Sequence, residues 1–384
     1  MLYIDKEIKM DFTKIDAFLE KMPERGIPSI DVAFTKDGEP VYRKCVGFSN
    51  AEKTKPVSPT DIYWIFSATK VITCIAAMQL VEKGVIALDD PVSKYIPSFE
   101  KLTVKDKEKG YALAETVMTV EHLFTMTGGL TYDLNTPNLK KAKAEHLGTV
   151  ELVSRIPNDP LMFEPGTRYR YSLCHDVLGA VVEVASGMRF SDYLQKNIFD
   201  PLEMKDIGFR PDDDQRERFS ALYRHCGGIQ SCVNVPISNS FILTDNYDSA
   251  GAGLFSTVDD YMKLIAALSL GGTAKNGYRV LTEESIKMMG ENRLCPDALN
   301  DFVNTRSFGY GWGLCGRAHI SPDMSLRRTA KGEFGWDGAA GAFVMVDPTN
   351  RTSLYIGTHI LGSQYMYHVV HPTVTNMLYE AFEL

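Results

Sequence analysis

Between residues 71 and 81 every position except Thr73 and Gln79 is apolar. That pattern is too wide for the one-sided stripe of a surface helix and predicts a helix buried on most of its circumference. Ser67 stands just before it, where a hydroxyl cap is wanted, and Gly84 stands where such a helix stops. Earlier in the chain, residues 10–24 carry Phe12, Ile15, Phe18, Leu19 and Met22 at helical spacing, which predicts an amphipathic helix lying on a sheet. Residues 29–34 and 40–46 read as strands joined through Lys36-Asp37-Gly38-Glu39, and Asp-Gly between two such runs is a strong hairpin signal. Further helices are predicted over residues 119–126, 149–155, 175–186, 190–198 and 258–270. A second hairpin joins residues 341–346 and 353–359 across Asp347-Pro348-Thr349-Asn350, and a closing helix spans 364–382.

Strands at both ends with helices between them predict an α+β fold, in which one antiparallel sheet built from both termini is flanked by helices and interrupted by a mostly helical insertion. The expected division is residues 1–62 with 250–384 for the sheet domain and 63–249 for the helical one, with an active site at their junction. With 384 residues, 44% hydrophobic and 23% charged, the chain can bury a large core. A net charge of −8 with no basic run argues against nucleic acid or an anionic membrane as partner and favours small-molecule chemistry. Asp5, Lys6, Glu7 and Lys9 leave no apolar core for a secretion signal, and no later segment reaches the roughly 20 apolar residues of a membrane span. The expectation is a soluble, cytoplasmic protein. Seven cysteines, at 45, 74, 174, 226, 232, 295 and 315, show no CxxC or disulfide-framework spacing and read as free buried thiols.

Ser67 and Lys70 are one helical turn apart, so the amine can fold back onto the hydroxyl. A serine is a weak nucleophile at neutral pH until a base takes its proton, and a desolvated lysine can be that base. The pair reads equally well as a helix cap followed by an ordinary lysine. Ser98-Phe-Glu-Lys101 has the same spelling but follows Pro97 in a loop, where no helical turn joins the side chains. Phe163-Glu-Pro-Gly-Thr-Arg-Tyr-Arg-Tyr171 places a tyrosine after a Pro-Gly turn and before a helix. Tyr171 is either a proton-relaying group facing a cleft or a half-buried aromatic. Gly335-Trp-Asp-Gly-Ala-Ala-Gly341 opens the last hairpin with small residues. These let a ligand approach the backbone, with the Ala339 N–H able to hold an oxyanion, or they form a plain glycine-rich strand entry. His368 and His371 are a close histidine pair with no third ligand in view, so no metal or cofactor is expected.

Together and in this order, the three stretches resemble the serine β-lactamase and penicillin-binding superfamily, in its branch of class C β-lactamases and family VIII carboxylesterases. The resemblance runs from about residue 63 to 346. It is carried also by Leu88-Asp-Asp-Pro-Val-Ser-Lys-Tyr-Ile-Pro97, Leu123-Phe-Thr-Met-Thr-Gly-Gly-Leu130 and Ala252-Gly-Leu-Phe-Ser-Thr257. It implies a β-lactamase-like fold with the site between an α/β and a helical domain. It also implies Ser67 as the acylated nucleophile, Lys70 and Tyr171 as the proton-handling pair, and the N–H groups of Ser67 and Ala339 as the oxyanion hole. Trp336, Asp337, Gly338 and Leu173 fall at substrate-binding positions.

β-Lactamases of this branch usually have asparagine where this chain has Leu173, and Lys-Thr-Gly where it has Trp336-Asp337-Gly338. The missing lysine removes the cation that would meet the carboxylate of a penicillin, and Asp337 brings a like charge in its place. Arg327, Arg328 and Lys331 are the residues that can bend back to replace it. Esterases of the family often carry Trp-x-Gly there. The expectation is therefore a serine hydrolase, a carboxylesterase acting through an acyl-enzyme on small esters or lactones. A β-lactamase or D-alanyl-D-alanine peptidase-like amidase, an acyltransferase, and a non-catalytic ligand-sensing module are the alternatives.

Overall fold

The computed structural model describes residues 10–106, 110–228, 231–305 and 308–384. The Asp-Gly signal gives the hairpin it predicts: Asp37 and Gly38 take φ of 53° and 73°. Two residues at positive φ make the tight loop whose twist matches its flanking strands, here Ser29–Lys36 and Glu39–Gly47. Ser29–Lys36 also pairs with Thr352–Gly357, Ala33 opposite Tyr355. Seven strands follow in the order Tyr310–Trp312, Arg317–His319, Phe334–Gly335, Phe343–Asp347, Thr352–Gly357, Ser29–Lys36 and Glu39–Gly47, each antiparallel to its neighbour. The first three of these, two or three residues long, are additions to the predicted sheet, because runs that short carry no measurable period.

Alternation along Ser29–Lys36 lets the strand serve two cores at once. Ile30, Val32 and Phe34 meet Ile15 and Leu19 of the first helix, Thr13–Glu20, and Val374 and Leu378 of the last, His371–Ala381. On the other face Ala33 joins the core that holds Tyr355 and Tyr261, whose rings stack at 4.5 Å. Tyr261 belongs to the helix Val258–Ser269, capped by the Thr257 side chain. Both terminal helices are shorter than their apolar patterns: the first gives way to a tight turn at Pro23–Arg25, and the last is preceded by a π turn over Met366–Val370.

Asp31, on the Ala33 face, is fully buried beside Arg43, whose Nη2 lies 2.7 Å from it. Burial outweighs the Arg43 charge and pushes the carboxyl up to about 7. Folded Asp31 therefore holds a proton that it has released in the unfolded chain, so its contribution to stability is expected to fall as pH rises from about 4 to about 7. Unfolding in urea across that range, in the parent and in Asp31→Asn, should show the parent losing stability relative to the variant as pH rises.

The helix predicted over 71–81 is Thr69–Glu82, and all its residues from 69 to 80 are buried. Gly84, at φ 67°, ends it by letting the Gly84 and Val85 N–H groups return to the carbonyls of Val81 and Leu80. It packs against Cys174–Ser186. Pro137–Ala144, Glu283–Met289 and Pro296–Thr305 are helices outside the predicted set. Among the described residues no helix is long and apolar enough to cross a membrane. All seven cysteines are free, but only Cys74, Cys174 and Cys315 are buried, while Cys226 and Cys295 are exposed.

Candidate active site

Ser67 is not a helix cap. It sits in a 3-10 turn, Phe66–Ala68, ahead of a helix whose own cap, Ala68, makes no side-chain bond. Phe66 takes φ 46°, a left-handed conformation that costs a large residue about 1–2 kcal/mol and needs surrounding structure to hold it. Residues 252–257 supply much of that support. Tyr63 and Trp64 pair with Ser256 and Phe255. The Ile65 N–H donates to the Leu254 carbonyl, and the Leu254 N–H donates to Thr69 Oγ1 at 3.1 Å. The Tyr261 hydroxyl reaches the Ala68 carbonyl at 2.7 Å. From the other side Gly338 presses on the same turn, where a Cβ would stand 2.4 Å from the Ile65 carbonyl oxygen.

Lys70 is 1% exposed, and its Nζ donates to Ser67 Oγ at 3.3 Å, to the Tyr132 hydroxyl at 3.2 Å and to the Gly251 carbonyl at 2.6 Å. The ammonium also lies 4.7 Å from the centre of the Tyr171 ring. Burial disfavours the charged amine, but the oxygens of Tyr132, Tyr171 and Asp176 around it outweigh that and raise Lys70 above the ordinary lysine value. Tyr132 is a residue the motif reading missed. Burial raises its hydroxyl, keeping it neutral beside Lys70, and its ring stacks on Tyr171 with centres 5.4 Å apart.

Asp176 is a second missed residue. Fully buried, it accepts from the Tyr247 hydroxyl, Ser249 Oγ and the Gly251 N–H, so Gly251 joins it to Lys70. A Cβ at Gly251 would stand 2.3 Å from its carboxylate oxygen.

Tyr171 stands across from Ser67, and its hydroxyl accepts from Trp336 Nε1 at 2.9 Å. The indole that replaces a lysine therefore orients the tyrosine, and is itself packed edge-on against Trp312. Ser67, Tyr132, Tyr171, Phe241, Trp336, Asp337, Gly338, Ala339 and Tyr367 line one cavity of about 190 Å³. The Tyr367 hydroxyl donates to the carbonyls of Gly338 and Ala339 at 2.8 and 2.9 Å, fixing the backbone that carries the Ala339 N–H.

Three expectations change. Leu173 is 3% exposed in the hydrophobic core and does not line the cavity, because it starts the buried helix Cys174–Ser186. Asp337 does not present a bare negative charge: Arg317, 5% exposed, donates to it at 3.1 Å and to Glu333 at 3.0 Å. Arg327, Arg328 and Lys331 do not line the cavity either. The Arg327 guanidinium lies 4.7 Å from the centre of the Phe343 ring, the Arg328 N–H bonds Asn376, and Lys331 lines a separate cavity. Ser98 and Lys101 are both exposed. His371 is buried and bonded to the Gly341 carbonyl, and burial pulls its pKa down to about 4, so it is neutral.

The family profile described as Beta-lactamase matches residues 15–366. The chain is similar to esterase EstB of Burkholderia gladioli, 27% identical over 87% of this chain and 86% of that one. It is 30% identical to the lovastatin esterase of Penicillium rubens over 68% of this chain and 67% of that one. Among solved structures, EstCE1, described as a hydrolase with promiscuous acyltransferase activity, superposes with a TM-score of 0.79 at 20% identity, covering 96% and 97% of the two chains.

Proposed function

Because the chain belongs to the beta-lactamase family and is a serine hydrolase, we propose that it is a carboxylesterase forming an acyl-enzyme on Ser67 with small, uncharged esters or lactones. One observation carries the reading. Where a β-lactam-cleaving relative would present a cation, this cavity presents Trp336, with its indole N–H bonded to Tyr171, and Asp337 already paired with Arg317. Among the described residues no arginine lines the cavity, and the nearby Lys70 is turned onto Ser67. Nothing there rewards a substrate carboxylate. The names of the esterases this chain is similar to support the same choice.

In this reading the Lys70–Tyr171 unit reacts in the form that has already released one proton, so it takes the Ser67 hydroxyl proton as Oγ attacks the ester carbonyl carbon. The N–H groups of Ser67 and Ala339 hold the oxyanion that forms. The carbon–oxygen bond to the alcohol then breaks, and the alcohol takes the proton back from the same unit. Water repeats the sequence on the acyl-enzyme and frees the acid. When Lys70 holds the proton, its ammonium stabilises negative charge on the neighbouring Ser67 or Tyr171 oxygen. The site lies between a sheet domain of residues 1–62 with 250–384 and a helical domain of 63–249, a division that is part of the proposal.

The test compares p-nitrophenyl acetate, an ester analogue bearing a carboxylate near the scissile bond, and a chromogenic cephalosporin on one preparation. kcat/KM for the neutral ester is expected to exceed both others by about tenfold or more, equivalent to about 1.4 kcal/mol of transition-state binding. Equal or faster turnover of the cephalosporin would move the assignment to β-lactamase.

A further inference from the structure

The reactive cavity, at about 190 Å³, falls below the roughly 300–1,000 Å³ of a pocket that encloses a small-molecule ligand. A substrate larger than a short-chain ester therefore extends past its rim, and two neighbouring cavities are available. One shares Tyr171 with it and is walled by Arg168, Arg170, Asp301 and Asn304. The other, of about 440 Å³, shares Tyr367 with it and is walled by Phe308, Tyr310, Met324, Leu326 and Arg327. The first carries three charged side chains, Arg168, Arg170 and Asp301, whereas the second, apart from Arg327 and His368, is walled mostly by apolar and aromatic ones.

Three walls of the apolar cavity are among the most exposed large apolar side chains described: Leu326 at 87%, Phe308 at 69% and Met324 at 64%. Single exposed apolar residues are ordinary, but a cluster beside a reactive cavity marks a binding surface. Its shared wall is fixed, because Tyr367 is hydrogen-bonded through its hydroxyl to the Gly338 and Ala339 carbonyls. Tyr367 is thus a wall of both cavities and also holds the backbone of the Ala339 N–H, which puts the acyl side of the ester nearest this cavity.

We propose that the cavity walled by Phe308, Met324, Leu326 and Tyr367 binds the apolar acyl chain of the ester, making medium-chain acyl esters the preferred substrates. This rests on the Ser67 esterase reading. Each methylene moved from water into an apolar site favours binding about fourfold, so kcat/KM should climb with acyl length until the cavity is filled.

The experiment measures kcat/KM for p-nitrophenyl acetate, butyrate, hexanoate and octanoate. A second series of acetate esters with lengthening alcohols is run beside it, in the parent, Leu326→Asp, Leu326→Met and Met324→Asp. The expected octanoate-to-acetate ratio in the parent is about tenfold or more, reduced about tenfold by either aspartate and kept by Leu326→Met. Because these side chains are exposed, the variants should fold, and the ratio within each variant cancels any change in active fraction. A flat acyl series, an unmoved ratio in the aspartate variants, or a length dependence confined to the alcohol series would overturn the proposal. A failure of the esterase reading looks different: no Ser67-dependent hydrolysis even of the acetate.

Discussion

Ser67→Ala is expected to lower kcat/KM for a neutral ester by about 10⁴-fold or more and to abolish the mass adduct left by a fluorophosphonate. The turn that carries Ser67 is held by Leu254, Tyr261 and Gly338, none of which touches its hydroxyl, so the variant should fold and its loss should report chemistry. Lys70→Ala and Tyr171→Phe should each cost about 10²–10⁴-fold, the range of a positioned proton-transfer group. Lys70 touches Ser67 Oγ and lies on the face of the Tyr171 ring, so the two side chains serve one proton. The double variant should therefore be little slower than the worse single one. Strictly additive losses would separate their roles, and an adduct surviving on Ser67→Ala would place the nucleophile elsewhere.

Arg317→Met should destabilise the fold by about 3–5 kcal/mol, because it strands two carboxylates around a buried position. Arg317 spans Glu333 and Asp337, donates to the Val344 carbonyl at 2.7 Å, and lies 4.6 Å from the centre of the Phe343 ring. Removing it leaves Glu333, fully buried, without its cation. Urea denaturation with an unchanged slope should show the loss, and Glu333→Gln in the same background should restore part of it. The exposed pair Lys14–Glu380 provides the contrast, since breaking it should leave the midpoint within error. A shift in Arg317→Met no larger than that contrast would mean that the pair is dispensable.

Sequence legibility followed the length over which a physical signal repeats. The central helix was readable because eleven positions in a row carry almost no polar residue, and the hairpin because Asp37-Gly38 specifies its own turn. Ser67 and Lys70 could be paired because a helical turn fixes their separation. Their starting frame was off by one local feature: the left-handed Phe66 inserts a 3-10 turn ahead of Thr69, and no propensity rule announces it. Tyr132, Asp176 and Arg317 went unseen because each meets its partner across a long stretch of chain. Arg317 reaches Asp337 only through neighbouring strands of two or three residues. Tyr132 had one local hint, its place just after Gly128-Gly129-Leu130 in a stretch the family resemblance already covered. Leu173 misled for the opposite reason. Its position in a motif suggested a ligand contact, whereas its apolar character had already assigned it to the core.

The pairing of Ala33 with Tyr355 also bears on how the protein comes to exist. During synthesis at about 5–20 residues per second, tens of seconds separate the emergence of the N-terminal hairpin from that of Thr352–Gly357, the strand it needs. Until then Ile30, Val32 and Phe34, all fully buried in the finished sheet, have neither that neighbouring strand nor the helix His371–Ala381 to cover them. An unpaired strand edge with an apolar face is what aggregation nucleates on and what chaperones bind. The sheet is thus completed last although one of its inner strands is made first, and the yield of folded protein is expected to depend on how that waiting hairpin is sheltered.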